Sequence, residues 1–400
     1  MNLEKMNLNQ RQLFLRHVAQ TSPAPMALEI EKGEGVYLID AKGKKYFDLI
    51  SGISVSSLGH CHPKVVEAII KQANTFMHTI VYGEFVQSPQ VNLAKAITDL
   101  LPSSLDSVYF VNSGAEATEG AMKLAKRVTG RTEIISFKNA YHGSTHGALS
   151  IMGSEEFKNS FRPLLPDTKI IEFNNEEHLL QITERTACVV VEPVQAESGV
   201  NVPKNDFLKK LSARCKATGT LLVLDEIQTG FGRTGTLFAF EQFGIVPDVL
   251  LIAKAMGGGM PIGAFISSKA NMDCFTNDPV LGHITTFGGN AVCCAASLAT
   301  LTEINSTQLY KRAKNIEAII HDKIKHPLVK EIRSSGALIA VEFGDVDLNM
   351  RIIAKCIENG VITDWFLFCA SAMRLAPPLI ISDEELIKAC DLIVASLNEV

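Results

Sequence analysis

The sequence predicts an α/β fold: a large unit built on a mostly parallel sheet, followed by a smaller α+β unit. Two apolar runs carry most of that reading. Thr220–Gln228 (TLLVLDEIQ) and Asp248–Ala255 (DVLLIAKA) each run on continuous aliphatic residues and end on charge. With Val and Ile inside and turn formers at the ends, such runs read as strands buried on both faces. The second observation is alternation. From about residue 90 to 270, strand-like and helix-like segments take turns, which implies parallel strands joined by crossover helices. The third is length, since 400 residues exceed what one core usually fills.

Taken in order, residues 8–20 have helical apolar spacing that breaks at Ser22-Pro23. Gly33 to Ile50 reads as a hairpin around Ala41-Lys-Gly43. Pro63 opens a helix through Val65, Val66, Ile69 and Ile70. Six strands are expected next: Ser107–Val111, Glu133–Phe137, Thr168–Phe173, Ala187–Glu192, Thr220–Asp225 and Asp248–Ala253. Gly289 to Ile304 predicts a long helix. Beyond 305 come a helix, a strand at Ala337–Phe343, a helix over 347–359 ended by Gly360, and a strand at Val361–Phe368. Ser382-Asp-Glu-Glu385 has the spacing of a capping box and starts the last helix. The expected division is 1–55 as an N-terminal segment joining the small domain, 56–304 as the large domain, and 305–400 as the small domain.

Composition narrows the class. The chain is 46% hydrophobic and 20% charged, with a net charge of −5 and no basic run. That disfavours nucleic acid or an anionic membrane as partner. Its 9 cysteines include no C-x-x-C pair, so neither a zinc site nor a disulfide framework is indicated. The N-terminus carries Glu4, Lys5, Arg11 and Arg16 without a sustained apolar region, and no stretch reaches transmembrane length. The expectation is a soluble, cytoplasmic protein with reduced thiols.

Ligands of open α/β sheets bind beyond the carboxyl ends of the strands, so Asp225 and Lys254 would both project into the ligand crevice. The bland reading is two strands with ordinary charged ends. A lysine to hold an aldehyde and a carboxylate to pair with a pyridinium nitrogen suit pyridoxal 5′-phosphate (PLP). The glycines after the lysine, Gly257-Gly-Gly-Met-Pro-Ile-Gly263, favour this second reading by leaving bare backbone beside it.

Asp225-Glu-Ile-Gln-Thr-Gly-Phe-Gly-Arg-Thr-Gly235 followed by Lys254-Ala-Met-Gly-Gly-Gly resembles the signature of the class III (subgroup II, ω-amino) aminotransferases. The resemblance continues through Gly35–Asp40, Leu58–Pro63, Asn112–Ala117, Tyr141–Gly143, Glu192–Gln195, Thr285–Asn290 and Arg374–Pro378, in family order over nearly the whole chain. Several motifs in order are far more specific than one. The resemblance implies PLP-dependent transferase fold type I and a homodimer with shared active sites. It also implies amino transfer from a small-molecule donor to a 2-oxo acid. The donor would be N-acetylornithine, putrescine, 4-aminobutyrate or a similar amine; the acceptor would be 2-oxoglutarate or pyruvate.

Residue by residue, the resemblance implies the following. Ser113, Gly114 and Ala115 open a helix and hold the phosphate, as helix N-termini do; the bland alternative is a capping box of Ser113 with Glu116. Tyr141, with His142 beside it, lies on one face of the cofactor ring and Ile227 on the other. Gln228 binds the ring hydroxyl, and Glu192 stands behind these contacts. Thr286 reaches the neighbouring subunit's phosphate. Arg374 binds a substrate carboxylate, for which a planar fork is suited. Glu197 pairs with Arg374 while the donor is bound and swings away for the oxo acid, because an unpaired buried arginine is costly.

Two other motifs fail their context. Gly230-Phe-Gly-Arg-Thr-Gly235 matches the dinucleotide fingerprint, but Asp248 precedes its strand instead of ending it. His142 and His146 stand four apart without an acidic base between them, so no metal is expected. There are also departures from the family pattern. Many relatives carry Arg or Lys where this chain has Ser144, which leaves a distal carboxylate without its partner unless Arg162 or another residue replaces it. Thr21 and Ile53 stand where ornithine aminotransferases use tyrosines, and Ile284 replaces a small residue. An aminomutase, a decarboxylating transaminase, a dehydrogenase or a non-catalytic binder remain the rival readings.

Overall fold

The computed structural model describes residues 8–400. Its centre is a seven-stranded sheet. In spatial order the strands are Ser107–Val111, Gly263–Ser267, Val249–Ile252, Leu221–Asp225, Thr186–Val191, Glu133–Phe137 and Thr168–Ile171. The last five are parallel neighbours, whereas Gly263–Ser267 pairs antiparallel with both strands beside it. Antiparallel Gly263–Ser267 is a seventh strand that the sequence reading passed over. Its five residues are buried throughout, but they follow a glycine run that reads as loop.

The central strands alternate between two cores. Val189, Val191, Leu222, Leu224, Leu250 and Ile252 face one side; Cys188, Val190, Val223, Val249 and Leu251 face the other. A sheet covered on both faces needs such continuous apolar strands. Helix Gly114–Thr129 covers the second face with Ala117, Ala121, Leu124 and Ala125 buried. It lies so close that a Cβ on Gly120 would sit 2.2 Å from the Phe265 ring.

The expected helix after Gly289 runs from Ala291 to Ser306, started by the Asn290 side chain, which accepts from the Val292 and Cys293 N–H groups. Past it, Glu331–Ser335, Leu338–Glu342, Cys369–Leu375 and Asp364–Phe366 form an antiparallel sheet. The single strand expected at Val361–Phe368 is therefore two. Val361–Ile362 leaves to pair in parallel with Lys45–Asp48 of the N-terminal sheet, while Asp364–Phe366 pairs with Cys369–Leu375. Val36, Phe47 and Leu49 accordingly share one core with Ile316, Val341, Ile352 and Leu386. Ser382 does start the last helix, in a reciprocal capping box with Glu385. The N-terminal helix is shorter than expected, Gln10–His17, and buries no residue. Among the described residues no helix is long and apolar enough to cross a membrane.

Candidate active site

Six sheet strands run the same way, so their carboxyl ends share one edge, and the residues just beyond them converge there. Antiparallel Gly263–Ser267 enters at that same edge, which adds the loop before it. The result is a cavity of about 440 Å³ lined by Ser113–Ala115, Tyr141–Ser144, Glu192, Glu197, Asp225, Ile227–Thr229, Ala253, Lys254 and Gly259–Ile262, with Val55 and Asn112.

At one end, helix Gly114–Thr129 begins. Ser113 Oγ accepts from the Glu116 N–H at 3.2 Å, but the Glu116 carboxylate turns back to Asn112, accepting from its backbone N–H at 2.7 Å and its side chain at 2.9 Å. The capping box of the bland alternative is thus only half formed. The N–H groups of Gly114 and Ala115, which a first helical turn leaves without intrahelical acceptors, line the cavity. A Cβ on Gly114 would come 2.8 Å from Ile227, and one on Gly263 would meet the Ser113 carbonyl at 2.5 Å. Only bare backbone fits this cup, and bare N–H groups at a helix start suit a phosphate.

Asp225 ends its strand buried. One oxygen accepts from the Ile227 N–H at 3.0 Å, and the other meets His142 Nδ1 at 2.6 Å. Burial would lower the His142 pKa, but the hydrogen bond and charge of Asp225 outweigh it and raise the pKa. Glu192 accepts from the Tyr141 and Ala196 N–H groups. Burial, assisted by the Asp225 charge, pushes its carboxyl up to about 7.

Lys254 Nζ donates to Gln228 Oε1 at 3.0 Å, and Gln228 Nε2 donates to Glu197 Oε1 at 3.2 Å. Glu197 in turn takes a two-pronged contact from Arg374 at 2.7 and 3.0 Å. Desolvation holds the Lys254 amine below its usual range, even though Glu197 and Asp225 pull the other way. Burial would raise the Glu197 carboxyl; the charge and hydrogen bonds of Arg374 overcome it and hold the carboxyl low. Arg374 itself is not on the cavity wall. It lies behind Glu197, over the Phe366 ring at 4.7 Å, and donates to the Trp365 carbonyl at 2.7 Å.

Thr286 is exposed and outside the cavity, on a segment with exposed Val280, Ile284 and Phe287. Arg162 is also elsewhere, paired with Glu155 at 2.5 Å on the surface, so it does not stand in for a cation at Ser144. Ser144 Oγ instead lies 3.1 Å from the Tyr141 hydroxyl. The sequence reading assigned no role to Val55, Thr229, Met260 or Asp364. Met260 stood in the quoted glycine run, where its neighbours were the signal. Val55 and Asp364 carried none.

A family model described as "Aminotransferase class-III" matches residues 18–397. The chain belongs to the class III aminotransferases. It is 40% identical over 385 residues to the acetylornithine aminotransferase of Methanocaldococcus jannaschii, covering 92% of each chain. With that of Archaeoglobus fulgidus the identity is 37%, over 95% of this chain and 98% of the relative. Among solved structures, the ornithine aminotransferase of Toxoplasma gondii superposes with a TM-score of 0.89 at 34% identity, covering 97% of this chain and 93% of that one. The acetylornithine aminotransferase of Elizabethkingia anophelis gives 0.85 at 33% identity, covering 97% and 98%. This class III aminotransferase is therefore a transaminase with a fold-type-I architecture.

Proposed function

We propose that this aminotransferase binds PLP at the cavity beyond the sheet edge and moves the ω-amino group of an N-acetylornithine-like donor to a 2-oxo acid. The observation that carries the reading is the placement of Lys254, Asp225 and the Ser113–Ala115 cup around one cavity. The names of the acetylornithine relatives support the donor class.

The residues fit the cofactor. The cup would hold its phosphate, Tyr141 and Ile227 would face its ring from either side, and Gln228 would reach its hydroxyl. His142 and Glu192 would stand behind Asp225. When bound, the cofactor's protonated ring draws off the electrons left as a proton leaves the substrate carbon. Asp225 keeps that ring nitrogen protonated, and His142, hydrogen-bonded to Asp225, keeps the carboxylate in place. Lys254 Nζ would anchor the aldehyde end of the cofactor. As a free amine it would move a proton to and from the substrate carbon, a task that needs an amine with a depressed pKa. Glu197 covers Arg374 while the donor occupies the site and uncovers it for the carboxylate of the oxo acid. Two subunits would pack through the exposed Met77, Phe85, Val86, Val280 and Phe287, a patch of the kind that marks an interface, and Thr286 would thereby reach the partner's cup.

Borohydride reduction followed by peptide mapping tests the anchor. Label should appear on Lys254 and disappear in Lys254→Ala, and label on any other lysine would overturn the assignment. A donor panel of N-acetylornithine, ornithine, putrescine, 4-aminobutyrate, lysine and β-alanine, scored for loss of the cofactor's visible absorbance, identifies the substrate. Because Ser144 offers no charge, pyruvate should compete with 2-oxoglutarate as acceptor. An absolute preference for 2-oxoglutarate would show that another cation serves its far carboxylate.

A further inference from the structure

Glu197 is not the only carboxylate on Arg374. Asp364 Oδ1 lies 2.9 Å from Arg374 Nε, and the two side chains are 16% and 4% exposed. The N–H does not point along this contact, so it joins charges without making a hydrogen bond, and neither atom has another partner. Asp364 meets the guanidinium at Nε, whereas Glu197 takes NH1 and NH2. The two acids also differ in how their backbones are held. Asp364 is directly opposite Arg374 in an antiparallel strand pair, a register that fixes both backbones. Glu197 is in the loop after strand Thr186–Val191, outside any strand pair, and is held there by single hydrogen bonds from the Phe368 N–H to its carbonyl and from the Leu367 N–H to its carboxylate.

We propose that Asp364 is a specificity-determining positioning residue: a fixed second countercharge that eases release of Glu197 from Arg374 and so speeds admission of carboxylate substrates. The proposal rests on the reading of Arg374 as the carboxylate site. Two carboxylates share one guanidinium when Glu197 is in place, and they repel each other. Burial holds the Asp364 carboxyl up at about 6; Arg374 opposes this, while Glu197 and Asp48 add to it. When Glu197 withdraws, that repulsion is relieved, and the buried arginine keeps a countercharge. Without Asp364, withdrawal would strand a buried cation, which is strongly unfavourable. An incoming carboxylate feels the same repulsion as Glu197 did. The exchange equilibrium therefore stays nearly level, and the gain falls on the rate of opening.

Trp365, the chain's single tryptophan, lends its carbonyl to Arg374 and reports on this corner by fluorescence. Stopped-flow mixing of the holoenzyme with glutarate, a dicarboxylate that cannot react, reads opening directly as the plateau rate at saturation. Asp364→Asn should lower that plateau about tenfold, the equivalent of one pKa unit of like-charge interaction, with the glutarate Kd little changed. Should Asp364→Asn fail to fold, Asp364→Ser carries the same expectation. In a Glu197→Gln background the plateau should be higher and insensitive to Asp364→Asn. An unchanged plateau in Asp364→Asn, or the same slowing in the Glu197→Gln background, overturns the proposal. Failure of glutarate to bind the unsubstituted enzyme would instead remove Arg374 as a carboxylate site, and this inference with it.

Discussion

Lys254 has a left-handed backbone, φ 48°, a conformation that non-glycine residues adopt at a cost of roughly 1–3 kcal/mol where function requires it. The turn aims its amine into the cavity directly after the strand ends, and burial there disfavours the charged form. Asp225 is the complementary case, a buried carboxylate whose two oxygens both have partners. Asp225→Ala would strip a buried ring nitrogen of His142 as well as the cofactor's proposed nitrogen partner. Loss of a buried charged pair is worth roughly 3–5 kcal/mol, so turnover should fall on the order of 10²–10⁴-fold. Near-normal kcat in this variant would give the carboxylate another role. Glu192 allows a pH prediction. Its folded carboxyl, at about 7, lies above the unfolded range, so the folded chain binds the extra proton between roughly pH 4.5 and 7. That contribution is complete at low pH and is lost as pH rises through 7. Thermal melts of the cofactor-free protein from pH 5 to 8 should therefore decline less in Glu192→Gln than in the unsubstituted chain. Parallel curves would show that Glu192 does not titrate in this window.

The elements that frame the cavity are joined by a turn of unusual hand. Ser51, Gly52, Ile53 and Ser54 all have φ between 49° and 64°, a left-handed stretch that disfavours side chains by roughly 1–2 kcal/mol per residue. Two neighbours hold it. Asp48 Oδ1 accepts from the N–H groups of Ile50 and Ser51, and its other oxygen meets His60 at 2.8 Å. Ser51 Oγ donates to the Ala376 carbonyl, two residues past Arg374. The turn thereby delivers Val55 to the cavity wall and ties the N-terminal sheet to the strand bearing Arg374. Asp48→Ala orphans the buried Ser51 N–H, at about 1–3 kcal/mol, and removes the partner of the half-buried Ile50 N–H and His60 ring; it should lower the melting temperature by several degrees, with loss of donor binding. Asp48→Asn keeps one acceptor and should be milder. Equal melting temperatures for all three proteins would mean that the turn is held by other contacts.

At the scale of the whole molecule, the exposed apolar residues around 77–91 and 280–287 are the face on which the proposed dimer would form. One ring contact joins them, His78 to Phe287 at 4.8 Å, and Asn290 donates to the Met77 carbonyl. If a second copy covers this face and Thr286 serves its cofactor, lesions in Lys254 and Thr286 complement each other. Mixed dimers of Lys254→Ala and Thr286→Ala subunits hold one doubly damaged site and one intact site, and should be more active than either parent. No rescue in confirmed heterodimers would return Thr286 to its own subunit.

The strand ends bearing Asp225 and Lys254 were legible in the sequence because a fully buried strand needs an uninterrupted apolar run with polar residues just past it. The last helix was legible for an equally local reason, its capping box. Several features were not legible. The direction of Gly263–Ser267 depends on which neighbours it meets, and five small and apolar residues after glycines do not say. Val361–Phe368 divides between two sheets because Lys45–Asp48 and Cys369–Leu375 each bond part of it, and those partners are remote in sequence. The Glu116 carboxylate reaches Asn112 instead of closing a capping box with Ser113, a contact that residue spacing does not specify. Asp364 becomes part of the arginine cluster only through strand register. Local periodicity and end signals are properties of neighbouring residues and are written in the chain. Strand order, register and the pairing of buried charges arise from contacts between distant segments, and only the folded structure decides them.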